Sequence, residues 1–128
     1  EEYVKARGGK RVIRKILVAN NGLAAVRFIR RLREWSFKYL GHEHALHFVA
    51  MPTPEDIQAN AEYFRLADEF VLVPGGSNKA NFANVDLIVD VAKRVCADAV
   101  WPGWGHASEN PALPDALDKH NITFLGPS

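Results

Sequence analysis

The residues best suited to chemistry follow an apolar run that ends at Trp101. Pro102, Gly103 and Gly105 stop a strand there and give the next loop unusual backbone freedom. That loop carries five side chains that stack or hydrogen-bond, namely Trp104, His106, Ser108, Glu109 and Asn110. The pattern therefore indicates a binding loop. The alternative is a structural turn in which Trp104 covers the edge of a sheet.

The position of this loop in the chain supports the binding interpretation. Asn110 followed by Pro111 predicts an N-cap and a first helical residue, so the loop joins the end of a strand to the start of a helix. In open α/β sheets the carboxyl ends of strands and the amino ends of helices meet at the edge where ligands bind. We therefore expect residues 103–110 at that edge.

Apolar runs and helical periodicity alternate along the chain. Runs at residues 15–19, 46–51, 70–73, 99–101 and 122–125 predict buried strands, and four helices are predicted at 23–39, 55–67, 85–95 and a short stretch ending near His120. Thr53 with Pro54, and Asn84, predict helix N-caps. The alternation predicts an α/β fold, a Rossmann-like doubly wound parallel sheet. Its strands end at one edge, beside Asn20, Pro52, Pro74, Trp104 and Gly126.

The first predicted helix has one apolar side and one basic side. Projected at a helical period, Ala25, Phe28, Ile29, Leu32, Trp35, Ser36 and Tyr39 share the apolar side. The opposite side carries Arg27, Arg30, Arg31, Glu34 and Lys38. Arg27 and Arg31 lie one turn apart with like charge, which is unfavourable unless an anion is near. The basic side indicates an anionic partner, with an ordinary solvated face as the alternative.

Composition and charge limit the class of protein. The chain has 128 residues, 48% hydrophobic and 24% charged, which is ordinary for one globular domain. It has no apolar run long enough to span a membrane, and its first residues lack the apolar segment of a secretory signal. Residues 1–45 carry a net charge of +7 and the remainder −6, so the N-terminal part favours an anion or an acidic surface. Residues 1–14 are predicted to be a basic arm and 15–128 the domain.

Several other chemistries do not fit the sequence. The turn at Gly22 lacks the further glycines of a dinucleotide fingerprint. His42, His44 and His47 have no carboxylate or thiol spaced to complete a metal site, so no metal ligand is predicted. Cys96 has no second cysteine to pair with and is predicted to be a reduced thiol in the core.

A family resemblance rests on the residues just described. Segments 16–27, 101–111 and 124–127 resemble the N-terminal subdomain of biotin carboxylase. Segments 51–63, 73–76 and 84–89 are most similar to the biotin carboxylase domain of eukaryotic, multidomain acetyl-CoA carboxylases. The resemblance covers about residues 15 to 128.

The resemblance implies a reaction and its participants. ATP and bicarbonate form carboxyphosphate, and its CO2 unit passes to biotin on a carrier domain, which leads to malonyl-CoA for fatty acid synthesis. It places Gly103, Trp104, Gly105, Glu109 and Asn110 in a wall facing biotin and bicarbonate. The ATP-grasp lysines, the Mg or Mn ligands and the catalytic residues would lie downstream of Ser128, so this chain alone is expected to be inactive. The full enzyme is expected to be a homodimer in the cytoplasm or in plastids, with no nucleic acid partner.

The resemblance also gives the basic helix side a role. The equivalent surface of the family serves dimer contact and regulation, including the binding of the macrocycle soraphen, which implies a regulatory surface at Arg27, Arg30, Arg31 and Glu34. Arg31 stands where a small serine is common and is expected to obstruct such an inhibitor. Two alternative functions stay open, a regulatory or assembly platform that uses these arginines, and another ATP-grasp ligase such as carbamoyl-phosphate synthetase.

Overall fold

The computed structural model of the chain describes residues 13–20, 22–40, 46–59, 65–77, 80–103 and 110–126. Within these ranges the strands form one parallel sheet of order β3-β2-β1-β4-β5, comprising β1 (Lys15–Val18), β2 (His47–Ala50), β3 (Glu69–Phe70), β4 (Ala99–Trp101) and β5 (Thr123–Phe124). The helices of the same ranges are α1 (Leu23–Leu40), α2 (Pro54–Gln58), α3 (Val85–Arg94) and α4 (Ala112–Lys119). None of them combines the length and the apolar character needed to cross a bilayer.

Helices cover both faces of the sheet, because successive strand residues point to opposite sides. On one face Leu17, Val49 and Val100 pack with the buried residues of α3 and α4. On the other face the core joins residues of β1, β2 and β4 to the apolar side of α1. The predicted Rossmann-like doubly wound parallel sheet is confirmed.

The predicted helix starts are largely confirmed by their caps. Thr53 and Asp56 form a reciprocal capping box at the start of α2, with bonds of 3.0 and 3.2 Å. Asn84 Oδ1 accepts a bond from the Leu87 amide at 3.0 Å and caps α3. The structure ends α2 at Gln58, residues 60–64 of the helix predicted over 55–67 lie outside the described ranges, and Arg65 and Leu66 are helical.

Cys96 is exposed, so its predicted place in the core is wrong. It follows the last turn of α3 with a φ of 57°. Its amide donates to the Lys93 carbonyl at 3.2 Å, and the Ala97 amide donates to the Ala92 carbonyl at 2.9 Å. This pair of bonds is the Schellman motif, which turns the residue after the helix away from the core. Apolar neighbours in the sequence did not reveal that turn.

Replacing Cys96 by glycine is expected to stabilise the chain by up to about 1 kcal/mol, since glycine adopts a positive φ without the strain of a Cβ atom. Asn121 is the matched control, because it occupies the same position after α4 with a φ of 58°. Asparagine tolerates this conformation better, so Asn121→Gly should gain less. Urea unfolding measures both changes, and a destabilised Cys96→Gly variant would contradict this account of the helix end.

A small polar network lies at the end of the sheet where the strands begin. Glu69 Oε1 at the start of β3 lies 2.8 Å from His47 Nε2 and 3.2 Å from Lys15 Nζ. Partial burial raises the pKa of Glu69, but hydrogen bonds from His47 and Lys15, with their charges, outweigh this and hold the pKa below its usual value. The network therefore ties together the first residues of three neighbouring strands.

The lowered pKa of Glu69 predicts a pH dependence of stability. The folded chain holds this carboxylate deprotonated to lower pH than the unfolded chain does, so its contribution is present above the ordinary value of about 4.3 and is lost as the pH falls through the folded value. The difference in unfolding free energy between wild type and Glu69→Gln should shrink in that acidic range. Urea unfolding across the range tests this, and a difference that does not change with pH would refute it.

Candidate functional site

The carboxyl edge of the sheet contains a switch point, the place between β1 and β4 where the strand order changes direction. From β1 the chain builds outward through β2 to β3, and it then adds β4 and β5 on the other side of β1. In folds of this kind the connections after the two central strands diverge and leave a crevice in which ligands bind. The residues after β1 and β4 are therefore the first candidates for a site.

Asn20 joins the ends of these two strands. The last backbone bond between them runs from the Ala19 amide to the Trp101 carbonyl at 2.8 Å. One residue further, Asn20 Nδ2 donates to the Pro102 carbonyl at 2.9 Å. The Asn20 side chain is buried, with 5% of the residue exposed. It thus extends the contact between β1 and β4 beyond the point where their backbones separate.

Gly103 fits against Asn20 only because it has no side chain. Gly103 is buried and has a φ of +72°, which disfavours any residue with a Cβ atom. A Cβ placed on it would stand 2.1 Å from Asn20 Nδ2 and 2.9 Å from Asn20 Cγ. The backbone at Gly103 is therefore packed closely against the Asn20 side chain, and this contact fixes its conformation.

The structure describes two of the five residues predicted to form the wall of a substrate site. Gly103 lies at the switch point. Asn110 is exposed, and its Oδ1 accepts a bond from the Ala112 amide at 3.0 Å. It therefore assists the start of α4, which begins one residue later than the predicted Asn110–Pro111 cap implied. Trp104, Gly105 and Glu109 lie outside the described residues, as do His106 and Ser108.

The basic side of α1 forms a second surface next to the crevice. Ala25 and Ile29 are buried under the helix, and the predicted outer residues Arg27, Arg30, Arg31 and Glu34 are exposed. Arg33 differs from them, since it turns inward and forms an ion pair of 3.2 Å with Asp68. The outer side of α1 is thus a cationic face that carries Arg27, Arg30 and Arg31.

A groove of about 420 Å³ lies between α1 and the end of β4. Phe28 and Trp101 form part of its apolar lining, with ring centroids 4.2 Å apart and planes 8° apart. Arg27 and Arg31 line it as well. An apolar lining with two guanidinium groups suits a ligand that has an apolar body and a negative charge.

Sequence reasoning missed the contacts that join these elements. The sequence predicts Asn20 at the edge where the strands end, but it does not indicate that Asn20 bonds a residue 82 positions away. Trp101 was interpreted only as the end of a strand, yet it stacks on Phe28 of α1. A polar residue directly after a buried strand was the available indication for Asn20, and no local pattern indicated the stacked pair.

The sequence matches a family profile described as "Biotin carboxylase, N-terminal domain" over residues 12–128. Acetyl-CoA carboxylase 2 of Arabidopsis thaliana is 61% identical over 126 residues, which cover 98% of this chain and 5% of that protein. Acetyl-CoA carboxylase of Saccharomyces cerevisiae is 57% identical over 128 residues, covering 98% of this chain and 6% of that protein. The chain thus spans only a small part of the curated relatives it matches.

Solved structures of carboxylases share the fold. The biotin carboxylase domain of a thermophilic 2-oxoglutarate carboxylase bound to bicarbonate matches with a TM-score of 0.75 and 31% identity, covering 91% of this chain and 24% of that one. Urea carboxylase of Kluyveromyces lactis matches with a TM-score of 0.76 and 29% identity, covering 91% of this chain and 9% of that one. The similarity therefore extends from the sequence to the arrangement of the sheet and helices.

Proposed function

The chain belongs to the biotin carboxylase N-terminal domain family, and on that premise we propose that it is the N-terminal subdomain of the biotin carboxylase component of a multidomain acetyl-CoA carboxylase. In the proposed reaction, ATP and bicarbonate form carboxyphosphate, and the CO2 unit is transferred to biotin on a carrier domain. The product then supplies the carboxyl group of malonyl-CoA for fatty acid synthesis. The chain contributes one part of the site, and other parts of the protein complete it.

The observation that carries this proposal is the level of identity. Acetyl-CoA carboxylases of plants, yeast and Dictyostelium discoideum share 57–61% identity with the chain over nearly its whole length. The carboxylases named for 2-oxoglutarate and for urea share 29–31%. The difference favours acetyl-CoA carboxylase among the biotin-dependent enzymes.

The proposed contribution of this chain is one wall of the site at the carboxyl edge. Gly103 and Gly105 let backbone approach biotin and bicarbonate, and the Trp104 indole stacks on the ureido ring. Glu109 orients neighbouring cationic groups, and Asn110 belongs to the same wall. The support is that Gly103 lies at the switch point, in a backbone conformation that its contact with Asn20 fixes. We assign no catalytic residue, ATP ligand or Mg or Mn ligand to the chain, and the proposal attributes these to other parts of the protein.

The same proposal extends to the domain division, partners, oligomeric state and compartment of the parent protein. Residues 1–14 form a basic arm that precedes the domain at 15–128. The partners are the remaining biotin carboxylase subdomains and the biotinyl carrier domain, and the full enzyme acts as a homodimer. The compartment is the cytoplasm, with the plastid as the alternative.

The test of the main proposal uses the full-length protein of which this chain is a part, prepared without biotin on its carrier domain so that free biotin is the substrate. ATP cleavage should depend on both bicarbonate and biotin, and Trp104→Ala should lower it. Trp104→Tyr is the control, since tyrosine keeps an aromatic face and should retain most of the activity. ATP cleavage that does not depend on biotin would favour the alternative, another ATP-grasp ligase.

A second candidate function is supported by the groove beside α1. The exposed residues Arg27, Arg30, Arg31 and Glu34 form a regulatory surface that takes an anionic partner or an inhibitor. Arg27 and Arg31 line the groove together with its apolar residues, which is the observation that favours this role.

Soraphen binding tests the role of this surface. Arg31→Ser should raise the affinity for soraphen about tenfold, a change of about 1.4 kcal/mol, because a bulky side chain leaves the groove. Lys38→Ser is the control, since Lys38 is exposed on the same helix and does not line the groove. Equal affinities of wild type and Arg31→Ser would contradict the assignment.

A further inference from the structure

We infer that Asn20 is a positioning residue of the proposed site, acting through Gly103, an inference that rests on the proposed function. Its carboxamide fixes where Gly103 stands and the direction in which the chain leaves β4. Asn20 does not itself touch substrate. Its role is to hold the backbone that does.

The first support is the place of Asn20 in the sheet. Val18 pairs with Trp101 in the register of β1 and β4, and the Ala19 amide bonds the Trp101 carbonyl at 2.8 Å. The next carbonyl along the chain belongs to Pro102, and Asn20 Nδ2 bonds it at 2.9 Å. Carbonyls alternate along β4, and the Val100 carbonyl accepts from the Leu125 amide of β5 at 2.9 Å, so in a continued strand the Pro102 carbonyl would also face β5. Its bond to the Asn20 side chain therefore marks the point where the chain leaves the β4 ladder.

The second support is the fit between Asn20 and Gly103. The Asn20 carboxamide occupies the space that a Cβ on Gly103 would need, at 2.1 Å from Nδ2. Both residues are buried. Gly103 cannot move toward β1 without meeting the carboxamide, and the Pro102 carbonyl cannot turn away without losing its bond. The two contacts together define the backbone at the crevice.

The third support is the geometry of the pair compared with a similar one elsewhere. Asn81 is also buried, with 1% exposed, and its Nδ2 donates to the Pro74 carbonyl at 3.1 Å. The chemistry is the same, but Pro74 follows β3, which lies at the edge of the sheet and two strands from β1. Asn20 is the member of this pair that lies at the switch point, where ligands bind.

The kinetic test compares Asn20→Asp with Asn81→Ala in the full-length protein prepared without biotin on its carrier domain, with free biotin as the varied substrate. Aspartate keeps the shape of the side chain but loses the donor and sets a carboxylate oxygen against the Pro102 carbonyl. Asn20→Asp should raise the KM for biotin about tenfold, the effect typical of one lost buried hydrogen bond, and leave the KM for ATP within about twofold. Asn81→Ala should leave the KM for biotin unchanged. An unchanged KM for biotin in Asn20→Asp would overturn the inference.

A double-mutant cycle tests whether Asn20 acts through Gly103. In the Asn20→Ala background the space beside Gly103 is free, so Gly103→Ala should lower kcat/KM for biotin by a smaller factor than it does in the wild-type background. Equal factors in the two backgrounds would overturn the inference.

Hydrogen exchange separates this inference from the proposed function. In the full-length protein, exchange of backbone amides in the peptide spanning residues 99–103 should rise about tenfold in Asn20→Ala and stay unchanged in Asn81→Ala. If wild type fails to carboxylate biotin, the proposed function fails, and the exchange result still decides whether Asn20 holds this backbone. Unchanged exchange in Asn20→Ala would overturn the inference whatever the activity.

Discussion

Gly103→Ala is expected to lower kcat/KM for biotin about 100-fold in the full-length protein. The added Cβ would meet the buried Asn20 carboxamide, and alanine disfavours the φ of +72° at this position. Either Asn20 or the backbone after β4 must move. A displacement of about 1 Å in a site typically costs a factor of this size. Steady-state kinetics with biotin as the varied substrate measures the effect.

Gly76→Ala is the matched control for this prediction. Gly76 also has a positive φ, +93°, but a Cβ placed on it would meet no atom within 4 Å. Gly76 follows the edge strand β3 and so lies away from the switch point. Alanine at this position is therefore strained by the positive φ, but it meets no clash. Gly76→Ala should lower stability moderately and keep the activity. Equal losses of activity in the two variants would show that strain alone, not the position of Gly103, matters.

Phe48→Ala is expected to destabilise the chain by about 3–5 kcal/mol, the range for removing a fully buried aromatic ring. Phe48 is completely buried on the α1 face of β2. Its ring meets Phe28 edge to face at 6.1 Å, and the Arg33 guanidinium lies 5.4 Å from its centroid. Loss of the ring therefore leaves a cavity and removes contacts that hold α1 on the sheet. Urea unfolding measures the change.

Phe37→Ala is the control for Phe48→Ala. Phe37 lies on the same helix that Phe48 supports, but it is 61% exposed. Its removal should change the unfolding free energy by no more than about 0.5 kcal/mol. A loss at Phe48 as small as the loss at Phe37 would contradict the assignment of α1 to this face of the sheet.

The fold could be predicted because its determinants are local. Apolar runs indicate strands and amphipathic periodicity indicates helices, and each pattern can be recognised within a short stretch of sequence. Thr53 and Asn84 cap the helices that follow them. Cys96 could not be predicted from its apolar neighbours, because the helix end that exposes it is defined by backbone bonds to Ala92 and Lys93. Composition indicates which residues prefer the core, but it does not indicate the φ of one residue.

The candidate site was only partly predictable for the same reason. Gly103 could be assigned to the carboxyl edge, since a strand had to end before it. The Asn20 contact that defines its conformation joins residues 82 positions apart, and the stack of Phe28 on Trp101 joins α1 to β4. Such contacts depend on which strands are neighbours in the sheet, and the structure is needed to establish that order. The basic side of α1 could be predicted, because helical period alone separates Arg27 and Arg31 from the apolar side.

The central claim is that this chain builds one wall of a biotin carboxylase site where β1 and β4 end. The most direct test measures the transfer of radiolabel from bicarbonate to biotin. Full-length protein prepared without biotin on its carrier domain is incubated with radiolabelled bicarbonate, ATP and free biotin, and carboxylated biotin is counted. We expect label on biotin that requires ATP, is largely lost in Gly103→Ala and is retained in Gly76→Ala. ATP consumption without label on biotin, or full labelling by Gly103→Ala, would contradict it.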